Sequence, residues 1–174
     1  MIKYDIGIDP DSAGNGAALY TDGKLTLLKN LSAAALTLLC IELQAKGENR
    51  VRLHMEDVKA TSAVFKSRFK KGETLESKLM KAQNLGMCKQ AQTEIEMMAE
   101  MLGIEVFTYQ ISHRWKCQQE KTTFQRATGW TGRSNEDTRS AAYFGFLGVR
   151  RGEAAVRKFG EKAKRKTNVQ VYPK

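Results

Sequence analysis

Apolar and polar residues alternate through much of the first third of the chain, which is the period of a β-strand with one buried face. Residues 3–9 and 17–20 follow this pattern, and Asp22-Gly23 supplies a two-residue hairpin turn before residues 24–29. We therefore predict an antiparallel meander of three strands. A further alternating segment, residues 51–56, predicts a fourth strand.

Helical spacing of apolar residues dominates the remainder of the chain. Ser32 is placed to cap a helix that runs to about Lys46, and residues 75–102 form the longest helical pattern. Residues 104–109 predict a fifth strand, and two more helices are predicted at 115–127 and 137–149. The element order βββαβαβαα predicts an α/β fold in which helices flank a mixed five-stranded sheet.

The length of the chain predicts how many domains it forms, and its charge predicts the class of partner that it binds. A chain of 174 residues predicts one domain, which we place at residues 1–150, followed by a basic C-terminal tail at 151–174. Lysine and arginine outnumber the acidic residues by 29 to 19, which gives a formal charge of +10. Such a surplus favours a nucleic acid as partner, although a basic surface can also serve solubility alone.

The cysteine count and the apolar segments predict the compartment. Three cysteines without CxxC spacing are typical of free thiols in a reducing environment. Met1 leads directly into a strand pattern, so we expect no targeting peptide, and residues 33–43 are too short and too polar to span a bilayer. We expect a cytoplasmic protein with no membrane association. No phosphate-binding loop motif is present, and no small-molecule cofactor is predicted.

Three carboxylates occupy positions from which they can converge. Asp9 ends the first strand, Glu56 ends the fourth, and Asp137 opens the last helix. Taken singly, each has an ordinary explanation: turn chemistry before Pro10, a surface acid at a strand end, and helix capping. Small residues, Ala141, Gly145 and Gly148, follow Asp137 along one helical face and would let that helix approach the sheet closely.

Together the three acids indicate a site for hard divalent cations. Carboxylate oxygens suit Mg²⁺ or Mn²⁺, and they repel one another when no cation is bound. Two such ions can activate water and stabilise the leaving oxygen in phosphodiester cleavage. Asp5 is excluded from this site because four residues along a strand separate it from Asp9 by about 13 Å.

The order and spacing of several short motifs resemble the RuvC-type Holliday junction resolvases of the RNase H-like superfamily. The resemblance extends over nearly the whole chain. The matching segments are Gly7-Ile8-Asp9-Pro10, Gly16-Ala17-Ala18, His54-Met55-Glu56, Asn84-Leu85-Gly86, Gly103-Ile104-Glu105-Val106, the stretch from Tyr109 to Trp115-Lys116, and Asp137-Thr138-Arg139-Ser140-Ala141-Ala142.

This resemblance implies a homodimer that binds branched DNA, such as a four-way junction, and nicks it with two Mg²⁺ ions in each active site. Mn²⁺ is expected to substitute for Mg²⁺. The resemblance gives Asp9, Glu56 and Asp137 the metal-binding roles, and it places Lys116 and Lys121 at the cleaved phosphate.

Two positions depart from the family pattern. Asp11 stands where the family usually has glycine. The family commonly has a second acid about one turn into the last helix, whereas this chain has Ser140 and Ala141 there. Either Glu136 replaces that acid, or the site uses three acids.

A basic segment with interleaved phenylalanines lies between the fourth strand and the long helix. Its cations are predicted to contact phosphates, and an aromatic side chain to stack on bases of distorted DNA. The predicted DNA-binding residues are Lys59, Phe65, Lys66, Arg68, Phe69, Lys70 and Lys71. Alternatively, this is a solvated loop whose phenylalanines pack into the core or a dimer interface.

Two rival functions follow from the same patterns. An RNase H-like protein that binds branched nucleic acid without cleaving it is compatible with the missing fourth acid. Sugar kinases and actin-like ATPases also begin with a Gly-Ile-Asp strand, but they need two such domains and phosphate-binding loops. A chain of 174 residues is too short for that arrangement.

Overall fold

A computed structural model describes residues 2–47, 50–60, 71–151 and 157–158. Its strands are β1 (Lys3–Asp9), β2 (Asn15–Thr21), β3 (Lys24–Leu31), β4 (Arg50–Glu56), β5 (Glu105–Tyr109) and β6 (Arg157–Lys158). They form one mixed sheet in the order β3-β2-β1-β4-β5-β6. The first three strands pair antiparallel, as the hairpin signal predicts, whereas β4 lies parallel to both β1 and β5.

The five predicted strands are all present in a mixed sheet flanked by helices, as their order predicts, and this is the RNase H-like architecture that the resemblance implies. The sixth strand has only two residues and pairs antiparallel with β5 at the edge of the sheet. It comes from the segment predicted to be a basic tail, most of which lies outside the described residues. The boundary at residue 150 therefore stays a prediction.

Four α-helices flank the sheet. They are α1 (Ala33–Ala45), α2 (Leu75–Met101), α3 (Lys121–Thr128) and α4 (Glu136–Arg151). The side chain of Ser32 caps α1, as predicted, and that of Thr74 caps α2. No described helix is both long enough and apolar enough to cross a membrane.

The predicted helix at 115–127 begins too early. Trp115 has a φ of +64°, which lies in the left-handed region and cannot belong to a right-handed helix. A short 3₁₀ turn follows at Gln118–Glu120, and regular α-helix begins only at Lys121. Apolar spacing alone did not indicate this irregular start.

The main apolar core lies between one face of the sheet and the helices α1 and α2. Each isoleucine, leucine or methionine side chain fully buried there stabilises the fold by about 1.5–3 kcal/mol. This core includes Ile6, Ile8, Leu36, Cys40, Leu53, Met55, Ile95 and Ala99.

The opposite face of the sheet is covered by α4, which approaches it as closely as its small residues predict. A β-carbon added to Gly145 would lie 2.7 Å from the ring of Tyr20, and one added to Gly148 would lie 2.3 Å from the ring of His54. The helix axis can therefore come near β1, β2 and β4, because no side chain intervenes. This close packing brings the first turn of α4 towards the strand ends.

Candidate active site

Asp9 and Glu56 lie at the carboxyl ends of the neighbouring parallel strands β1 and β4. Both side chains are almost completely buried. The ammonium nitrogen of Lys116 lies 3.1 Å from Asp9 Oδ2 and 3.7 Å from Glu56 Oε2. The structure thus brings together three of the residues that the sequence predicted for the site.

Asp137 lies in the first turn of α4 and packs against β2, the strand that pairs antiparallel with β1. In the β1–β2 register Asp9 pairs with Gly16. A β-carbon added to Gly16 would lie 2.5 Å from the carbonyl oxygen of Asp137 and 3.2 Å from its β-carbon. The absence of a side chain at Gly16 is what allows Asp137 to approach the two strand ends.

The charges of these groups influence one another. Burial raises the pKa of the Asp9 carboxyl, and Glu56 adds to this effect while Lys116 opposes it. Burial also raises the pKa of Asp137, together with the charges of Asp9, Asp11 and Glu136. Burial alone would lower the pKa of Lys116, but the neighbouring Asp9 and Glu56 raise it. The site is therefore an acidic cluster that one lysine partly neutralises.

These side chains line a cleft of about 470 Å³. Its walls come from the ends of β1 and β4, from the first half of α2, from the loop after β5 and from α4. The lining residues are Asp9, Pro10, Asp11, Glu56, Val58, Lys81, Asn84, Leu85, Cys88, Ile111, His113, Lys116 and Asp137.

The acids of the cleft suit a hard cation in their chemistry. Their oxygens are the donors that Mg²⁺ prefers, and the pKa values of Asp9 and Asp137 are raised first by burial and then by repulsion from neighbouring acids, both of which a bound cation would offset. Yet within the part of the chain that the structure describes, no three acidic, histidine or cysteine side chains are grouped as a metal site requires. The Lys116 ammonium instead lies beside Asp9 and Glu56.

The other predicted site residues lie elsewhere. Glu136 is exposed and lines a neighbouring depression that shares Ile111, His113 and Lys116 with the cleft. Lys59 forms an ion pair with the buried Glu96 of α2. Lys71 is exposed, and Lys121 begins α3 outside the lining of the cleft. Phe65, Lys66, Arg68, Phe69 and Lys70 lie outside the described residues.

A buried polar network surrounds His54, which precedes Glu56 by two residues on β4. His54 Nε2 lies 2.8 Å from Asp5 Oδ1, and His54 Nδ1 lies 2.9 Å from the Tyr109 hydroxyl. Arg52 Nε donates to the same Asp5 oxygen at 2.7 Å. Asp5 thus binds both Arg52 and His54.

Comparison with known proteins identifies the architecture. The chain superimposes on Thermus thermophilus RuvC in complex with a Holliday junction substrate with a TM-score of 0.55, at 12% identity, covering 91% of this chain and 99% of that one. The fold is that of RuvC. A second Thermus thermophilus RuvC structure gives a TM-score of 0.53 at 11% identity, covering 91% and 100% of the two chains. No protein-family model and no curated protein sequence matches the chain.

At the position where the RuvC family pattern has its further acid, this chain buries Ser140. Its side chain is fully inaccessible to solvent, and its hydroxyl makes no hydrogen bond of ordinary geometry among the described residues. The hydroxyl is nevertheless close enough to Asp9 to lower the pKa of that carboxyl by weak hydrogen bonding, which opposes the larger effect of burial. Ser140 is therefore a buried polar group beside Asp9.

Several residues of this region have no individual role in the predictions made from the sequence. The backbone N–H of Ser112 donates to Glu56 Oε1 at 3.0 Å, and His113 lines the cleft beside it. Arg139 of α4 is buried and binds the loop that carries Lys116. An irregular loop has no periodicity, so only the resemblance to RuvC pointed to residues 109–116.

Proposed function

We propose that this protein is a Mg²⁺-dependent endonuclease that cleaves branched DNA, with four-way junctions as its substrate class, by paired nicking during recombination, repair or replication. The observation that supports this most directly is the convergence of Asp9, Glu56 and Lys116 at the ends of parallel strands in a RuvC fold. A neighbouring structure of that fold is a complex with a Holliday junction substrate. The formal charge of +10 suits a polyanionic partner.

In this proposal Asp9, Glu56 and Asp137 hold two Mg²⁺ ions, which Mn²⁺ can replace. Bound metal would supply an activated water and neutralise charge at the cleaved phosphate. Glu136 is exposed and lines the depression next to the cleft and not the cleft itself, so the proposal rests on three acids.

Lys116 has a different role, because its ammonium is the one cation seen beside Asp9 and Glu56 in the described cleft. An ammonium at that position can bind a non-bridging phosphate oxygen and stabilise the negative charge that grows there during cleavage. Lys116 therefore links the acids to the phosphate, as the sequence resemblance implies.

We further propose that the protein acts as a homodimer, because two nicks in opposite strands need two sites. Apolar side chains exposed along α2 support a contact between two copies. They are Leu75, Leu79, Met80, Met87, Met97 and Met101. The free thiols of Cys40, Cys88 and Cys117 suit the reducing cytoplasm, which is where we place it.

A labelled four-way junction tests the function. Wild type is incubated with the junction in Mg²⁺, Mn²⁺ or EDTA, beside Asp9→Asn and a matched control, Asp22→Asn, which changes an exposed hairpin acid. We expect paired nicks by wild type and by Asp22→Asn in either metal, and binding without cleavage by Asp9→Asn. A linear duplex of the same sequence measures selectivity for the branch.

One observation favours a second candidate, a protein that binds branched nucleic acid without cleaving it. No three-ligand metal group is assembled among the described residues, and Ser140 replaces an acid. The same assay separates the two functions. Binding by wild type with no cleavage in Mg²⁺ or Mn²⁺ would exclude the endonuclease and support the binding protein.

A further inference from the structure

The loop that carries Lys116 has an unfavourable backbone conformation. Trp115, immediately before Lys116, has a φ of +64°, where a residue with a bulky side chain is rarely found. Its indole is buried and packs against Phe124, Tyr143 and Phe146. Such a conformation persists only where the surrounding structure holds it in place.

Arg139 supplies that restraint from α4. Its Nε donates to the carbonyl oxygen of Trp115 at 2.8 Å, and its Nη2 donates to the carbonyl oxygen of Lys116 at 2.6 Å. A third, longer hydrogen bond joins Nη1 to the carbonyl oxygen of Ser134 at 3.4 Å. The planar guanidinium thus donates hydrogen bonds to two consecutive carbonyl groups, and its rigid geometry fixes their relative positions.

The position of Arg139 is informative because the residue is only 4% exposed. Burying a guanidinium is costly, and these hydrogen bonds go to backbone carbonyls rather than to a carboxylate. Because a charged guanidinium is buried here to bind one loop, the backbone path of this loop is important for the arrangement of the site. The loop is also held from the side of the sheet, where the Ser112 N–H donates to Glu56.

We propose that Arg139 is a positioning residue that fixes the Trp115–Lys116 backbone and thereby holds the Lys116 ammonium beside Asp9 and Glu56. The role rests on the proposed endonuclease function, since that function gives Lys116 its task at the phosphate. Asp137 precedes Arg139 by two residues on the same helix. A single rigid helix therefore sets the position of an acid and of the lysine relative to each other.

The test compares Arg139→Lys and Arg139→Gln with a matched control, Arg126→Gln, which removes an exposed arginine of the adjacent α3. Arg139→Lys keeps the positive charge but loses the forked guanidinium group. It serves as the folded variant if Arg139→Gln unfolds the protein. Circular dichroism and thermal unfolding establish which variants are folded. Junction affinity is expected to stay within about twofold of wild type, because Arg139 is buried.

Single-turnover cleavage of the junction measures the effect on the reaction. We expect Arg139→Lys to cleave on the order of 100-fold more slowly, as small misplacements of a reacting group commonly do. In a double-mutant cycle, Arg139→Lys added to Lys116→Ala should cause no further loss, because Arg139 acts through Lys116. Losses that multiply, or an unchanged rate in Arg139→Lys, would overturn the proposal.

A second readout does not depend on cleavage and separates this proposal from the proposed function. An amine-selective reagent is applied briefly, and labelling of Lys116 is compared by mass spectrometry with that of the exposed Lys24. Lys116 should be labelled several-fold faster in Arg139→Lys than in wild type or Arg126→Gln, since the released ammonium leaves its carboxylate partners. Equal labelling in all three would refute the positioning role even if wild type cleaves. If Lys116 is labelled faster in Arg139→Lys but wild type never cleaves the junction, the positioning role of Arg139 is upheld and the endonuclease function is rejected.

Discussion

Gly7 and Ala141 lie so close together that a β-carbon added to Gly7 would be 2.0 Å from the carbonyl oxygen of Ala141. The same added atom would be 2.6 Å from the backbone nitrogen of Gly145. The middle of β1 therefore touches the backbone of α4 directly. Because α4 also carries Asp137, this contact sets how far that acid stands from Asp9.

We expect Gly7→Ala to destabilise the protein by about 3 kcal/mol or to displace α4, because overpacking against backbone cannot be relieved by a rotamer change. Gly86→Ala is the matched control. Gly86 lies within α2 and has nothing within 4 Å of an added β-carbon, so alanine there should stabilise by about 0.5–1 kcal/mol. Urea unfolding of both variants measures the difference. A Gly7→Ala protein as stable as wild type would contradict the packing described here.

The sequence predicts the elements that carry a regular pattern. Alternation along β1 and β4, and small residues along α4, follow from burial and packing, so the strand ends and the close helix could be foreseen. The loop at residues 110–117 could not, because its path depends on a left-handed Trp115 and on Arg139 from a distant helix. Neither feature produces a periodic signal.

The binding of divalent metal should appear as a change in thermal stability. Ionised Asp9 is disfavoured by burial and by Glu56, so without metal at pH 7 we expect Asp9→Asn to melt a few degrees above wild type. This difference should vanish below the ordinary pKa of an aspartate, about 3.8, where the carboxyl is neutral in both states. Mg²⁺ or Mn²⁺ should raise the melting temperature of wild type by linkage and leave that of Asp9→Asn nearly unchanged.

Asp22→Asn is the control for this measurement, since it removes an exposed acid of the β2–β3 hairpin without touching the cleft. It should respond to metal as wild type does. Equal stabilisation of wild type and Asp9→Asn by Mn²⁺ would show that metal binds somewhere other than at Asp9.

The burial of His54 predicts how the free energy of unfolding depends on pH. Burial lowers its pKa, although Asp5 opposes this, and the ring is 1% exposed and stacked on Phe107. The folded state therefore keeps His54 neutral to a lower pH than the unfolded chain does, and the unfolded chain takes up a proton below about pH 6.5. This contribution to stability is complete above that pH and is lost as the pH falls, at up to about 1.4 kcal/mol per pH unit.

The test compares the free energy of unfolding of wild type and His54→Gln between pH 7.5 and 5.5. We expect a flatter pH dependence in His54→Gln, beside its general loss of stability. Equal slopes in wild type and His54→Gln would mean that His54 titrates alike in the folded and unfolded states.

Ser140 offers a way to build the missing acid. Its buried hydroxyl makes no hydrogen bond of ordinary geometry among the described residues but lies close enough to Asp9 to lower the pKa of that carboxyl, so a carboxylate at this position would join the acidic cluster. We expect Ser140→Asp to lower the melting temperature in EDTA, since one more buried charge adds to the repulsion. The same variant should bind Mn²⁺ more tightly than wild type, because a further oxygen ligand then faces the ion.

Ser140→Asn separates charge from size in this experiment, because asparagine has nearly the volume of aspartate and no charge. Calorimetric titration with Mn²⁺ measures the affinity of both variants and of wild type. Tighter binding by Ser140→Asp alone is expected if three acids hold the metal and a fourth can be added. If both variants bind Mn²⁺ equally, the residue at position 140 does not face the ion, and the three acids act without help from that turn of α4.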